Sequence, residues 1–144
     1  MSKGNNHDKD RAALPTRVLV VEDDAILSMA IEDALLDAGI SDVESCPTTE
    51  AALAALKRQR PEAIVLDVHL ADRDDGWAIA ELVRTVGPKG PQIVFSTGAP
   101  RDIPENIAEM GCVLEKPYDP ADLVDVLRQP RRRGIIARLR GALG

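Results

Sequence analysis

Side chains that could do chemistry follow the ends of four apolar segments of this chain. They are Glu22, Asp23 and Asp24 after the first segment, Asp67 after the second, Thr97 after the third and Lys116 after the fourth. Carboxylates that converge on one point require a cation, and a ligand set made only of oxygen favours a hard ion such as Mg²⁺. A hydroxyl and an ammonium group add donors for an anion. The combination therefore suits a site that forms and breaks a phosphoryl bond on a carboxylate.

Each of these residues also has an ordinary structural explanation. Asp24 stands where a helix is predicted to begin, and a carboxylate there caps the helix and is favoured by its dipole. A single Asp at the end of a strand, a Thr-Gly pair and a Lys-Pro turn are all common in proteins without such a site. The hypothesis of a functional site therefore depends on a fold that brings these side chains together.

The apolar pattern predicts strands and helices that alternate along the chain. The predicted strands are 17–21, 42–46, 63–66, 92–95 and 112–114, and the predicted helices lie within 24–39, 48–58, 77–86, 104–110 and 120–129. In the first helix, apolar residues recur with a period near 3.6 at Ile26, Met29, Ala30, Ala34 and Leu36. Strands that are apolar throughout are typical of a parallel sheet buried on both faces.

This alternation predicts the α/β fold class. We expect a flavodoxin-like, doubly wound sheet of five parallel strands in the order 2-1-3-4-5, with helices on both faces. In such sheets ligands bind beyond the carboxyl ends of the strands, where the strand order reverses. The acids, the hydroxyl and the amine described above all follow carboxyl ends, so the fold predicts that they share one edge.

The composition is typical of a single soluble domain. The chain has 144 residues, a formal net charge of −6 and 44% hydrophobic content. No apolar run approaches the ~20 residues that a membrane span needs, and the N-terminal residues lack the apolar segment of a secretory signal. We therefore expect a cytoplasmic protein. Cys46 and Cys112 belong to strands at opposite edges of the predicted sheet, so we expect two core thiols and no disulfide.

The chain divides into three predicted parts. Residues 1–15 are polar and are expected to be a disordered lead-in, 16–129 form the domain, and 130–144 form a basic extension with an amphipathic pattern. The basic residues after 128 are all arginines, and no acid accompanies them. An acidic body with a basic tail is not the profile of a nucleic-acid reader, so we expect no direct DNA binding.

Four short blocks of this sequence resemble the signature blocks of the response-regulator receiver domain of two-component signalling. They are VVEDD at 20–24, VLDV at 65–68, FSTG at 95–98 and EKP at 115–117, in the family's order and at suitable spacing. The resemblance covers about residues 16–129. It implies that Asp67 accepts a phosphoryl group from the phosphohistidine of a partner kinase or phosphotransfer protein, or from a small phosphodonor.

The same resemblance implies a role for each site residue. Asp23, Asp67 and the backbone carbonyl of His69 would hold Mg²⁺ directly, and Glu22 would assist through water. Thr97 and Lys116 would contact the phosphoryl oxygens. His69 itself has the ordinary reading of a solvated loop residue, and Trp77 that of a packing residue.

Some positions depart from the family's usual pattern. Ala71 stands where most members have proline, Asp75-Gly76 comes one residue late, and Val113 replaces the aromatic switch residue of many members. FSTG with these features resembles a stand-alone subgroup that carries a Phe-Ala-Thr-Gly-Tyr block, although Ala99 stands in place of that block's tyrosine.

Three functions of different classes follow from the sequence. The first is a single-domain response regulator, which is not an enzyme beyond its own phosphorylation and dephosphorylation. On phosphorylation it would change its binding to a downstream protein, pass the phosphoryl group on in a relay, or form a homodimer. The second is a receiver-like scaffold that acts without phosphorylation. The third is a phosphatase of the haloacid-dehalogenase type, which is disfavoured because His69 stands where its general acid would be.

Overall fold

The computed structural model describes residues 13–68, 90–128 and 136–137, which form one parallel sheet with helices on both faces. The strands are β1 (Arg17–Val21), β2 (Asp42–Cys46), β3 (Ala63–Asp67), β4 (Gln92–Thr97), β5 (Cys112–Glu115) and β6 (Ile136–Ala137). The described helices are α1 (Ala25–Asp37), α2 (Thr49–Arg58), α3 (Glu105–Ala108) and α4 (Pro120–Arg128), with a 3₁₀ turn at Pro100–Asp102. The strand order is β2-β1-β3-β4-β5-β6.

The predicted fold class is confirmed, and the sheet is one strand wider than predicted. Strands β1 to β5 are parallel and follow the order 2-1-3-4-5. The two-residue strand β6 pairs in parallel with β5, so that Val113 lies opposite Ile136 and Leu114 opposite Ala137. A two-residue pairing leaves no periodic pattern, so this strand could not be predicted from the sequence.

Two apolar cores hold the helices to the sheet, one on each face. Alternation along β1 sends Leu19 and Val21 to the face covered by α2 and α3, and Val18 and Val20 to the face covered by α1 and α4. All four side chains are fully buried. Burial on both faces explains why the strands are apolar throughout rather than alternating.

Helix α1 forms where it was predicted, but of the residues that gave the 3.6-residue period Ala34 packs against the core and most of the others are exposed. Ile26 is 81% exposed, Met29 63% and Leu36 46%. The buried residues of the helix are instead Ser28, Ile31 and Leu35. The helix carries two apolar stripes, and periodicity alone does not show which of them meets the sheet.

The ends of the helices follow the predicted capping residues. The Asp24 side chain accepts hydrogen bonds from the backbone N–H groups of Ile26 and Leu27, and Thr48 caps α2 in the same way. Helix α1 ends at Asp37, and Gly39 follows its C-cap residue with a φ of 106°, in the left-handed region that glycine adopts without strain. Asp119 accepts from the N–H of Ala121 at the start of α4.

Several predictions concern residues outside the described ranges. They are the lead-in up to residue 12, the helix at 77–86, the positions His69, Ala71, Asp75, Gly76 and Trp77, and the basic extension apart from 136–137. The three-part division of the chain stays a prediction. Among the described residues, no helix is long and apolar enough to cross a membrane.

Both cysteines are free and buried, as predicted. Cys46 lies in the core beneath α2 and α3, and Cys112 in the core beneath α1 and α4. Burial raises the pKa of the Cys46 thiol to about 11, so this thiol stays protonated and unreactive at neutral pH.

A buried arginine ties the first two strands together. Arg17 of β1 is 6% exposed, and its guanidinium lies 3.0 Å from Asp42 Oδ1 and 2.7 Å from Glu44 Oε1 of β2. The mainly apolar stem of Arg17 fills space that methionine can also fill. A substitution to methionine therefore removes the charge while keeping most of the packing.

We expect Arg17→Met to lower the free energy of unfolding by about 2 kcal/mol, because it takes the buried cation from Asp42 and leaves Glu44 with the exposed Arg58. Urea unfolding monitored by circular dichroism measures the change. Arg58→Met is the matched control, since Arg58 pairs with the same Glu44 from a side chain that is 62% exposed, and we expect a loss below about 0.5 kcal/mol. Equal losses in the two variants would contradict the importance of burial here.

Candidate functional site

The register of the strands brings the predicted site residues to one edge of the sheet. Val21, the last residue of β1, pairs with Leu66, so Glu22 follows β1 beside Asp67 at the end of β3. Asp67 in turn pairs with Ser96, and Thr97 pairs with Glu115, the residue before Lys116. The site residues therefore come from four adjacent strands of one parallel sheet.

Three acids meet at this edge, as the sequence analysis predicted. One carboxylate oxygen from each of Glu22, Asp23 and Asp67 lies within 4.8 Å of the other two. Glu22 and Asp67 are buried, at 3% and 5% exposure, while Asp23 is exposed. Two carboxylates buried this close together repel each other unless a cation or a proton compensates them.

Lys116 supplies part of that compensation. Its Nζ donates a hydrogen bond to Glu22 Oε1 at 2.9 Å and lies 3.6 Å from Asp67 Oδ2. The Lys116 side chain is 24% exposed, so it reaches the acids from the solvent side of the edge. The peptide bond between Lys116 and Pro117 is cis.

Glu22 is the acid whose titration the site changes most clearly. Burial raises the pKa of its carboxyl group to about 7, with a smaller contribution from the negative charge of Asp67. Hydrogen bonds from Lys116 and from the backbone N–H of Asp24 act in the opposite direction but do not cancel the effect of burial. Without a metal ion, Glu22 therefore keeps its proton under mildly acidic conditions.

We expect the metal-free protein to lose stability as pH rises from about 4.5 to about 7, because Glu22 binds a proton in the folded chain that it has already released in the unfolded chain. The contribution of this group amounts to about 3 kcal/mol across that window. Urea unfolding at a series of pH values measures it. Glu22→Gln keeps an acceptor for Lys116 and should flatten the profile, whereas an unchanged slope in that variant would contradict this account.

Thr97 lies at the same edge, but its hydroxyl has a local partner. Thr97 is 1% exposed, and its Oγ1 accepts a hydrogen bond of 3.0 Å from the N–H of Ala99. Its carbonyl accepts a 2.7 Å bond from the N–H of Lys116, which joins the ends of β4 and β5. The structure therefore places Thr97 at the end of β4, next to the strand end that carries Asp67.

The structure also shows contacts that the sequence analysis missed. The ion pair of Glu22 with Lys116 joins residues 94 positions apart, and no local pattern signals it. A second contact joins Ser96 Oγ and the Tyr118 hydroxyl, which lie 2.7 Å apart in the interior. Tyr118 follows the Lys-Pro pair directly, and that position could have signalled a side chain near the site.

The donor set fits a magnesium ion. It contains three carboxylates, with the Lys116 amine beside two of them and Thr97 at the end of the adjacent strand β4. Hard oxygen ligands, with no sulfur or imidazole among the described site residues, match the preference of Mg²⁺. Both buried acids of the cluster lie near the amine, Glu22 at 2.9 Å and Asp67 at 3.6 Å.

The fold and the site are those of a parallel α/β domain with acids, a threonine and a lysine at the carboxyl edge of its sheet. Residues 18–128 match the family described as the response regulator receiver domain. The chain belongs to this family, which is part of two-component signalling.

Curated relatives that match this chain are longer regulators. The chain is 28% identical over 118 residues to the transcriptional regulatory protein PdtaR of Mycobacterium tuberculosis, with 81% of this chain and 57% of that protein covered. It is 29% identical over 121 residues to the phyllosphere-induced regulator PhyR of Methylorubrum extorquens, covering 82% of this chain and 44% of PhyR. The chain thus spans about half the length of these relatives.

Solved structures of receiver domains share the fold. A CheY-like receiver domain from Methylobacillus flagellatus is 26% identical with a TM-score of 0.68, and the match covers 80% of this chain and 97% of that chain. The receiver domain of the sensor kinase PA1611 from Pseudomonas aeruginosa is 28% identical with a TM-score of 0.65, covering 78% and 93%. That structure has a magnesium ion coordinated in its active-site cleft.

Proposed function

We propose that this chain is a response regulator that accepts a phosphoryl group on Asp67 from a partner histidine kinase or phosphotransfer protein. The observation that carries the proposal is the placement of Asp67, whose carboxylate lies within 4.8 Å of two other acids and 3.6 Å from the Lys116 amine. Few other uses explain a buried carboxylate that faces both a cation site and an ammonium group.

The proposed transfer uses these groups in one step. An Asp67 carboxylate oxygen attacks the phosphorus of a phosphohistidine, the P–N bond breaks, and the histidine keeps the electron pair and takes up a proton. Mg²⁺, held by Asp23, Asp67 and the backbone carbonyl of His69 with Glu22 assisting through water, would neutralise charge on the transferred group. Holding this ion is the role that we assign to the acid cluster.

Lys116 and Thr97 would hold the product. Once Asp67 carries the phosphoryl group, Lys116 pairs with one of its oxygens, and Thr97 exchanges its bond with Ala99 for another of them. Phosphorylation adds about −1.5 to −2 charges at this edge. The resulting movement of β4 and β5 changes the surface that a downstream protein or a second copy of the chain would bind.

We also propose that the chain resembles the stand-alone members of the family in its output. The FSTG block suggests the subgroup with a Phe-Ala-Thr-Gly-Tyr block, a cytoplasmic location, and an output through protein contacts or a phosphorelay rather than direct DNA binding. Its chemistry would be limited to its own phosphorylation and dephosphorylation.

Binding of beryllofluoride, a stable mimic of the phosphoryl group, tests the proposal. Isothermal titration calorimetry of the full chain should show one beryllofluoride bound per chain in the presence of Mg²⁺ and none after chelation with EDTA. The fluorescence of Trp77, the single tryptophan, offers a second signal. Absence of binding with Mg²⁺ would favour the alternative, a receiver-like scaffold that acts without phosphorylation.

A further inference from the structure

Ser96 and Tyr118 form a hydrogen bond inside the protein that the proposed chemistry does not use. Ser96 is fully buried, Tyr118 is 9% exposed, and their oxygens lie 2.7 Å apart. Either hydroxyl can be the donor. A pair of buried hydroxyls satisfies both groups only while the two segments that carry them keep their relative position.

Each partner is the near neighbour of a residue that would contact the phosphoryl group. Ser96 precedes Thr97 and is the register partner of Asp67 across β3 and β4. Tyr118 comes two residues after Lys116. A shift of Thr97 or Lys116 toward Asp67 therefore acts on one end of this hydrogen bond or on the other.

The other side of Tyr118 leads to helix α4. The residue stands two positions before Pro120, the first residue of α4, and Asp119 between them caps that helix. The tyrosine ring packs in the core that α4 shares with α1, together with Leu123 and Leu127. Movement of the ring would therefore change the packing of α4.

We propose that the hydrogen bond between Ser96 and Tyr118 couples the occupancy of Asp67 to helix α4, with Tyr118 as the positioning residue. The inference rests on the proposed function, since it names the route by which that site changes the protein surface. Val113 is a small side chain in the opposite core, where it packs with Phe95. The hydrogen bond between Ser96 and Tyr118 lies on the other face of the sheet, which carries α1 and α4.

The coupling should be lost when either hydroxyl is removed. Tyr118→Phe and Ser96→Ala each break the bond and leave one buried hydroxyl without its partner, while the double variant removes both groups. All three keep the apolar packing almost unchanged, so we expect them to fold. Ser28→Ala is a matched control, because it removes a buried hydroxyl from α1, the helix packed against α4, without touching β4 or β5.

Amide hydrogen exchange of α4 with Mg²⁺ present, with and without beryllofluoride, provides the test. In the unaltered chain and in Ser28→Ala, beryllofluoride should change exchange rates over residues 121–128 by about threefold or more. In Tyr118→Phe, Ser96→Ala and the double variant, beryllofluoride should still bind, and the rates in α4 should stay the same. A merely structural role would instead change the rates in both states and keep their ratio.

Tyr118 also provides its own spectroscopic signal, because it is the only tyrosine in the chain. Labelling tyrosine with ¹³C at Cζ gives one resonance, which should shift on beryllofluoride binding in the unaltered chain and much less in Ser96→Ala. An α4 response in Tyr118→Phe equal to that of the unaltered chain would refute this inference alone. Failure of the unaltered chain to bind beryllofluoride would refute the proposed function and the inference with it.

Discussion

Asp67→Ala should lose at least 99 of every ~100 phosphoryl groups that the unaltered chain takes up from acetyl phosphate, because Asp67 is the proposed acceptor and the other buried acid of the cluster, Glu22, is held in a hydrogen bond by the Lys116 amine. A loss of this size corresponds to about 2.7 kcal/mol or more in the barrier to transfer. Intact mass spectrometry after incubation with Mg²⁺ and acetyl phosphate counts the groups directly. The variant should remain folded, because Glu22 keeps its ion pair with Lys116.

Asp33→Ala is the control for this experiment. Asp33 is an exposed carboxylate on α1, away from the strand ends, so its removal changes the net charge by the same amount without altering the site. The control should be labelled as fully as the unaltered chain. Labelling of Asp67→Ala at the level of the control would show that the acceptor is another residue.

The second large effect concerns the metal ion. Asp23→Asn should weaken Mg²⁺ binding by about 100-fold, because it removes the charge of the one exposed acid in the cluster. The remaining acids are Asp67 and Glu22, and Glu22 binds its proton with a pKa of about 7. Calorimetric titration of the metal-free chain with MgCl₂ at pH 7.5 measures the affinity. Phosphorylation by acetyl phosphate should fall with it.

Asp24→Asn is the matched control, since it makes the same chemical change one residue further along the chain. Asn and Asp cap helices about equally well, so α1 should keep its first hydrogen bonds. We expect Mg²⁺ affinity within about threefold of the unaltered chain, because the metal-proximal cluster excludes Asp24. Similar losses in both variants would mean that net charge, and not coordination by Asp23, sets the affinity.

The sequence predicted the position of the site well because strand ends are encoded locally. An apolar run that stops at a charged residue marks the carboxyl end of a strand, and parallel strands bring such ends to a common edge. Asp67 and Glu22 were placed together on this basis, and their register in the sheet confirms it. Asp24 was predicted to be a helix cap, and its hydrogen bonds to Ile26 and Leu27 show that it is one.

The structural features that could not be predicted depend either on a choice between two equivalent local patterns or on contacts between residues far apart in sequence. Helix α1 has apolar residues on two sides, and only packing against β1 and α4 selects Ile31 and Leu35 for the core and leaves Ile26 exposed. The contacts of Lys116 with Glu22 and of Tyr118 with Ser96 join segments that are far apart in sequence and that the sheet brings together. Periodicity and capping rules contain no information on such pairs.

Locating the phosphoryl group within the unaltered chain is the most direct test of the account. After incubation with acetyl phosphate, borohydride reduction converts an aspartyl phosphate to homoserine, and peptide mass spectrometry then identifies the modified residue. We predict one modified residue, Asp67, when Mg²⁺ is present, and none when the ion is chelated. Modification of a different residue, or equal modification of Asp67 without Mg²⁺, would contradict the central claim.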